Sequence, residues 1–306
     1  MNRPSSFQKP APVSQAARIL EVWGERDLDD VRFVLLDTET TGVGDNAKIL
    51  EVAARGWSTH PTRVYPHPYE ALIHPGQCIP PESSAVHHVS DQKVADAPKQ
   101  AEILPSFIQY IGDSPLIAFN SGYDQGMLAG TPLYDHLWLD AYRMAMHVWS
   151  LGEKNQNGFP LTSLKQQVLR YWLGLPDIAG DAHRAGADIM LTGLVFQEIV
   201  KKYKQMGYST RFKDFVDWVQ SPILHSTIPI GGNAYLGKKP EEIETWALKK
   251  AFDPTDSMFE SFKKFNVHDA LRPEYSRRLG MDAPPPPGEP PQEKPASRRS
   301  SFRPAR

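Results

Sequence analysis

Apolar positions in this chain fall first into short unbroken runs and later into helical stripes. Phe33 to Leu36, Ile49 to Trp57 and Glu70 to His74 predict three strands, the last two separated by a Pro- and His-containing turn region from Thr59 to Pro68. Strands met in succession predict a meander. Ahead of them Ser14 can cap a short helix carrying Ala17, Leu20, Val22 and Trp23, packed beside the first strand. Beyond a Pro-rich excursion at 75–81 the period lengthens, and Ile103, Leu104, Phe107, Ile108 and Ile111 predict a helix over 101–111. Pro115 to Phe119 reads as a short strand, and Asn120 or Ser121 can cap a helix with Asp124, Met127 and Leu128 on its inward face. A strand over 137–140 and helices over 141–151 and 164–173 follow. The longest helix opens near His183-Arg-Ala-Gly-Ala-Asp188 and ends near Lys202, with Asp188, Leu191, Val195 and Ile199 along one stripe. The order is mixed α/β.

Candidate chemistry begins where the first strand ends, in Asp37-Thr-Glu-Thr-Thr-Gly42. Period 2 puts Asp37 and Glu39 on one side, and two anions so placed repel unless a cation sits between them. Asp-x-Glu alone also reads as a strand followed by a polar turn. Two further acids, Asp124 and Asp188, head inward helical faces, where a carboxylate needs a partner. His183 falls just ahead of the last helix, within reach of those acids. Carboxylates so gathered suit a hard divalent cation.

Composition narrows the setting. The chain has 306 residues, 40% of them hydrophobic, room for one large domain or two modest ones. Residues 1–13, with three prolines, are expected to be disordered. From Gln205 aromatic residues interleave with charges, so a small appended module is expected over 207–280. A Pro-rich basic tail over 281–306, containing Arg298 and Arg299, is expected to be disordered. Cys78 is the single cysteine, no run approaches the ~20 apolar residues of a membrane span, and Met-Asn-Arg-Pro-Ser-Ser is not a secretory leader. A soluble cytoplasmic protein is expected. A net charge of −2 neither requires nor excludes a nucleic-acid partner. Gly42-Val-Gly44 lacks the third glycine of a dinucleotide loop, and no Cys/His cluster supports structural zinc.

With Asp37-Thr-Glu39, Asn120-Ser-Gly-Tyr-Asp124 and His183-Arg-Ala-Gly-Ala-Asp188 in this order, the chain resembles the DEDDh family of 3′-to-5′ exonucleases, DnaQ-like and RNase T-like. Their motifs are Asp-x-Glu, Asn-x-x-aromatic-Asp and His-x-Ala-x-x-Asp. A narrower likeness inside the family rests on Ile79 to Asp91, Val94 to Pro98 and an appended module near Ile230-Gly-Gly and Leu236-Gly-Lys-Lys. The resemblance implies an α/β, RNase H-like mixed sheet flanked by helices over 14–206, with its core at 31–204. It implies phosphodiester hydrolysis at DNA 3′ ends, single-stranded or frayed, with two Mg²⁺, Mn²⁺ substituting, that stabilise the attacking and leaving oxygens. Asp37 would then bridge both ions, Glu39 and Asp188 complete one and Asp124 hold the other through water, while the imidazole of His183 deprotonates the attacking water. Thr40, Thr41 and Gly42 would then face the terminal nucleotide and Asn120 would position the helix or sugar. Phe119 and Tyr123 would stack on bases, with core packing the competing reading, and Phe119 stands where many relatives have His. Trp138, Trp149 and Trp172 read as core, and His87 and His88 as structural parts of a loop. A proofreading subunit of a DNA polymerase, tethered to its protein partner through the module or tail, and an RNA 3′-end trimmer remain alternatives. A binding protein with a dead site is disfavoured, since all five active-site positions are intact.

Overall fold

β1 (Phe33–Thr40) is the middle strand of a five-stranded sheet, and its first four side chains are all buried. An unbroken apolar run is what a strand covered on both faces needs, since neither face meets water. The computed structural model describes residues 14–60, 62–178, 184–221, 240–256, 259 and 268–280. β2 (Ile49–Trp57) and β3 (Tyr69–Leu72) run antiparallel on one side of β1, completing the meander. β4 (Leu116–Ala118) and β5 (Trp138–Asp140) run parallel on the other, so the order is β3-β2-β1-β4-β5. The expected mixed α/β architecture is present.

Helices α1 (Gln15–Trp23), α2 (Pro81–His87), α3 (Asp91–Val94), α4 (Gln100–Ile111), α5 (Gly122–Met127), α6 (Ala141–Val148), α7 (Gln166–Trp172), α8 (Ala185–Gln205) and α9 (Phe212–Gln220) surround the sheet. Three of them sort the faces of β1. Odd positions look toward α8: Phe33 meets the ring of Phe196 at 5.0 Å, and Leu35 lies against Gly193. Even positions look toward α4 and α5, where Val34 and Leu36 share a core with Ile103, Phe107, Ile111 and Leu128. Strand period 2 therefore sends Asp37 and Glu39 to the α8 side and Thr38 to the other.

The stretch around His87, read from the sequence as a loop, contains α2. Pro81 at its first turn, Glu82 beside it and His88 closing it in the left-handed region (φ 58°) are ordinary helix boundaries. His87 itself is buried, and its Nδ1 accepts from the backbone N–H of Val89 (3.1 Å). Trp149 is core as expected, whereas Trp138 and Trp172 are half-buried and donate to the carbonyls of Leu133 and Phe159 (2.8 and 3.0 Å).

Residues 207–221 join this unit rather than the appended module expected from 207, because the compact unit extends to Ser221. Phe212 N–H donates to the carbonyl of Arg26 and Leu28 N–H to that of Thr210, both at 2.8 Å. The Phe212 ring lies 5.8 Å from Phe33. The alternation of aromatic and charged residues there is the two faces of an amphipathic α9, not a separate fold. The second unit begins at Pro222. Its described part is a 3₁₀ turn at Pro240–Glu242 and helices Thr245–Ala251 and His268–Leu279, around buried Leu248, Phe252, Leu271 and Tyr275. Ile230-Gly-Gly, Leu236-Gly-Lys-Lys and both tails lie outside the described residues. Among the described residues no helix is long and apolar enough to cross a membrane.

The close approach of α8 to the sheet depends on Gly193, where an added Cβ would stand 2.7 Å from Leu35 Cδ1 and from Trp57 Cη2. Gly193→Ala is expected to destabilise the fold by about 1–3 kcal/mol in urea unfolding. Gly126→Ala, on α5, meets no atom within 4 Å and is expected to be neutral or slightly stabilising. An unchanged midpoint for Gly193→Ala would contradict this packing.

Candidate active site

At the exit of β1 the α8 face stops being apolar. One carboxylate oxygen each from Asp37, Glu39 and Asp188 lies within 4.8 Å of the others, and all three residues are half-buried. Asp37 and Glu39 are there because strand period 2 continues the Phe33–Leu35 face past the end of the core. Asp188 is there because it sits in the first turn of α8, where the helix N-terminus favours an anion. The sequence expected this trio on one surface, and the fold assembles it from residues 149 or more positions apart for Asp188.

Asp124 arrives from the other side of the sheet. It is buried on α5, and the hydroxyl of Thr38, on the opposite face of β1 from its neighbours, donates to its Oδ1 at 2.7 Å. Its helix is set by Asp140 at the end of β5, whose Oδ1 accepts the backbone N–H groups of Asn120 and Tyr142, both at 2.9 Å. Asn120 thus turns the chain in the left-handed region (φ 67°) before α5. The expected base, His183, lies outside the described residues.

Electrostatics at this point is unfavourable without a cation. Burial, then the charges of Asp124, Glu39, Asp188 and Glu51, raises Asp37 well above the carboxylate range. Burial, then Asp188, Glu51 and Asp124, raises Glu39 to about 8. Asp124 is raised to about 7, burial outweighing the Thr38 hydrogen bond. Acids that hold protons near neutrality are acids short of positive charge, and a donor set of oxygens only suits a hard divalent ion. The cluster fits such an ion.

Three supporting residues escaped sequence reasoning. Glu51 on β2 is buried and is the register partner of Glu39, and Arg184 forks onto it, Nε to Oε2 at 3.1 Å and Nη2 to Oε1 at 2.8 Å. An acid inside the run Ile-Leu-Glu-Val-Ala-Ala does signal a buried charge needing a partner, but only strand register places it beside Glu39. Gln166 on α7 donates from Nε2 to the carbonyl of Asp188 (3.0 Å) and to Thr192 Oγ1 (2.8 Å), steadying the start of α8.

The residues expected to face substrate are placed less simply. Thr40 and Thr41 are buried, and their hydroxyls serve the turn after β1. Thr40 donates to the carbonyl of Gly42 (2.8 Å), while Thr41 accepts from Lys48 N–H (3.0 Å) and Gln77 Nε2 (2.9 Å). Gly42 has a φ of 146°, which glycine adopts readily, and its carbonyl also accepts from the Tyr123 hydroxyl at 2.7 Å. Tyr123 is half-buried and edges an open groove with Gly44, Asp45, Gly122, Gly126 and Met127. Phe119, half-buried, packs against Tyr142 at 5.8 Å between ring centroids.

A family model described as Exonuclease, of RNase T type, matches residues 34–196, more than half of the chain and all of the sheet but Phe33. DNA polymerase III subunit epsilon of Treponema pallidum is 28% identical over 209 residues, 65% of this chain and 88% of that protein. A DNA polymerase III subunit epsilon-like protein of Rhodobacter capsulatus is 30% identical over 195 residues, 61% of this chain. The chain spans only about a quarter (26%) of that relative's length. Among solved structures, exonuclease X in complex with 5′-overhanging duplex DNA aligns with a TM-score of 0.47 at 21% identity, covering 60% of this chain and 98% of that one. The chain belongs to the RNase T-type exonuclease family, the DEDDh 3′-to-5′ exonucleases.

Proposed function

We propose that this protein is a divalent-metal-dependent exonuclease that removes nucleoside monophosphates from DNA 3′ ends. The observation that carries the reading is the Asp37, Glu39 and Asp188 trio, three carboxylates within 4.8 Å of one another at the rim of the sheet. Asp37, Glu39 and Asp188 would hold one ion, and Asp124 together with Asp37 would hold a second. Bound there, Mg²⁺ or Mn²⁺ supplies Lewis acidity to the phosphoryl oxygens and lowers the proton affinity of water.

The remaining steps fall to the chain. Thr38 keeps the Asp124 carboxylate aimed at the site, and Asp140 fixes the turn that delivers it. His183 takes the proton of the attacking water on a ring nitrogen, since an imidazole is mostly neutral near pH 7. The carbonyl of Gly42 holds Tyr123 at the edge of the groove, and there its ring would border the incoming DNA strand. The names of the Treponema and Rhodobacter relatives support a second reading, that the chain proofreads for a DNA polymerase. Co-purification with a polymerase would favour it, and robust activity of the isolated chain would weigh against it.

DNA carrying a 3′-terminal label is expected to lose it at once with Mg²⁺ and to keep it in EDTA, with a matched RNA oligonucleotide deciding sugar preference. Asp37→Asn is expected to cost about 10³-fold in rate, the loss of several kcal/mol of metal stabilisation. His183→Ala is expected to cost at least ~10²-fold. Label retained by the wild-type chain with metal would sink the reading.

Raised carboxylates also set a pH dependence. Glu39 at about 8 and Asp124 at about 7 bind protons more tightly folded than unfolded. Folding therefore takes up protons between the unfolded carboxylate range and about pH 8, and stability in EDTA falls as pH rises through that window. The melting temperature in EDTA is expected to be lower at pH 8 than at pH 5.5. The rise produced by Mg²⁺ is expected to be larger at pH 8, where the ligands ionise at less cost. A Mg²⁺ effect that shrinks with pH would contradict the assignment.

A further inference from the structure

Arg184 stands at the N-cap of α8, directly after His183 in the chain and four residues before Asp188. Its guanidinium forks onto both oxygens of Glu51, a buried acid whose Cα pairs in register with Glu39. One fact makes this more than an incidental surface ion pair. The Glu51 side chain is 7% exposed and that of Arg184 32%, so Glu51 without its partner would be a buried, unpaired anion beside the site.

We infer that Arg184 is a positioning residue for the nuclease site, its fork on Glu51 docking the start of α8 against β2 while its charge cancels a fifth carboxylate beside the metal ligands. The inference rests on the proposed nuclease reading. A fork fixes direction as well as charge, which a lysine ammonium cannot do. The chain entering α8 carries His183 on one side of Arg184 and Asp188 on the other, so the angle at which Asp188 meets Asp37 and Glu39 follows from where Arg184 is held. The charge half is separable from the docking half. With Arg184 neutralised, Glu51 adds its full anion to the cluster; with Glu51 neutralised, the cluster faces an uncompensated cation. Coulomb attraction to a divalent ion then changes in opposite directions. The guanidinium already offsets the charges that raise Glu39.

The test uses the full chain and the variants Arg184→Gln, Arg184→Lys and Glu51→Gln, with folding checked by circular dichroism. Mn²⁺ affinity is read by electron paramagnetic resonance, and kcat and KM are read on a labelled DNA oligonucleotide. Arg184→Gln is expected to bind Mn²⁺ about fivefold tighter and Glu51→Gln about fivefold weaker. Arg184→Lys is expected to keep Mn²⁺ affinity within about twofold while kcat falls about tenfold at nearly constant KM, because charge is retained and docking is not. General loosening of the fold would weaken Mn²⁺ binding in every variant. Mn²⁺ shifts of one sign, or an Arg184→Lys kcat equal to wild type, would overturn the inference; if Arg184→Gln fails to fold, the other two variants still decide it. Opposite Mn²⁺ shifts in a wild-type background without metal-dependent cleavage would instead overturn the nuclease reading and leave the charge assignment standing.

Discussion

Repulsion among carboxylates at one end of β1 is the constraint around which the first unit is arranged. Asp37, Glu39, Asp124, Asp188 and Glu51 act on one another closely enough to raise the proton affinities of Asp37 and Glu39. A protein selected for stability alone would not gather them, because each buried charge costs desolvation and each neighbour adds to that cost. The fold contains the problem with fixed devices: Thr38 donates to Asp124, Arg184 forks onto Glu51, and the first turn of α8 receives Asp188. What these devices leave is a cluster in which Asp37 and Glu39 still hold protons well above the usual carboxylate range. A divalent cation resolves that remainder, and hydrolysis of a phosphodiester is the chemistry that family membership attaches to it.

The rest of the fold serves that end of the strand. β1 is buried on both faces, so its backbone is a rigid rail between α8 on one side and α4 with α5 on the other. Its alternation then distributes the chemistry: Asp37 and Glu39 toward α8, Thr38 toward Asp124. Gly193 lets α8 approach close enough for Asp188 to reach the trio, and Gln166 holds the backbone of Asp188 from α7. Local sterics far down the helix and a hydrogen bond to one carbonyl thus set the geometry of an acid cluster.

Much of this was legible in the residues. The apolar run Phe33 to Leu36, the spacing of Asp37 and Glu39, and the inward helical positions of Asp124 and Asp188 are local patterns, and local patterns survive the loss of the fold. The register that sets Glu51 opposite Glu39 is not local, and neither is the reach of Arg184 across more than a hundred residues, so both escaped. The appended module was placed too early because α9 presents alternating aromatic and charged residues, and only its packing on Phe33 and Arg26 assigns it to the first unit. Thr40 and Thr41 look in sequence like groups offered to a nucleotide, yet their hydroxyls are engaged by Gly42, Lys48 and Gln77. A motif specifies which residues gather, and packing decides which of their atoms stay available.

A divalent ion is the occupant that Asp37, Glu39 and Asp188 together fit. Anomalous diffraction from crystals grown with Mn²⁺ tests it most directly, since the ion then reports its own position. A strong Mn²⁺ peak is expected within coordination distance of carboxylate oxygens of Asp37, Glu39 and Asp188. No peak there, with the three carboxylates ordered and the metal in excess, would contradict it.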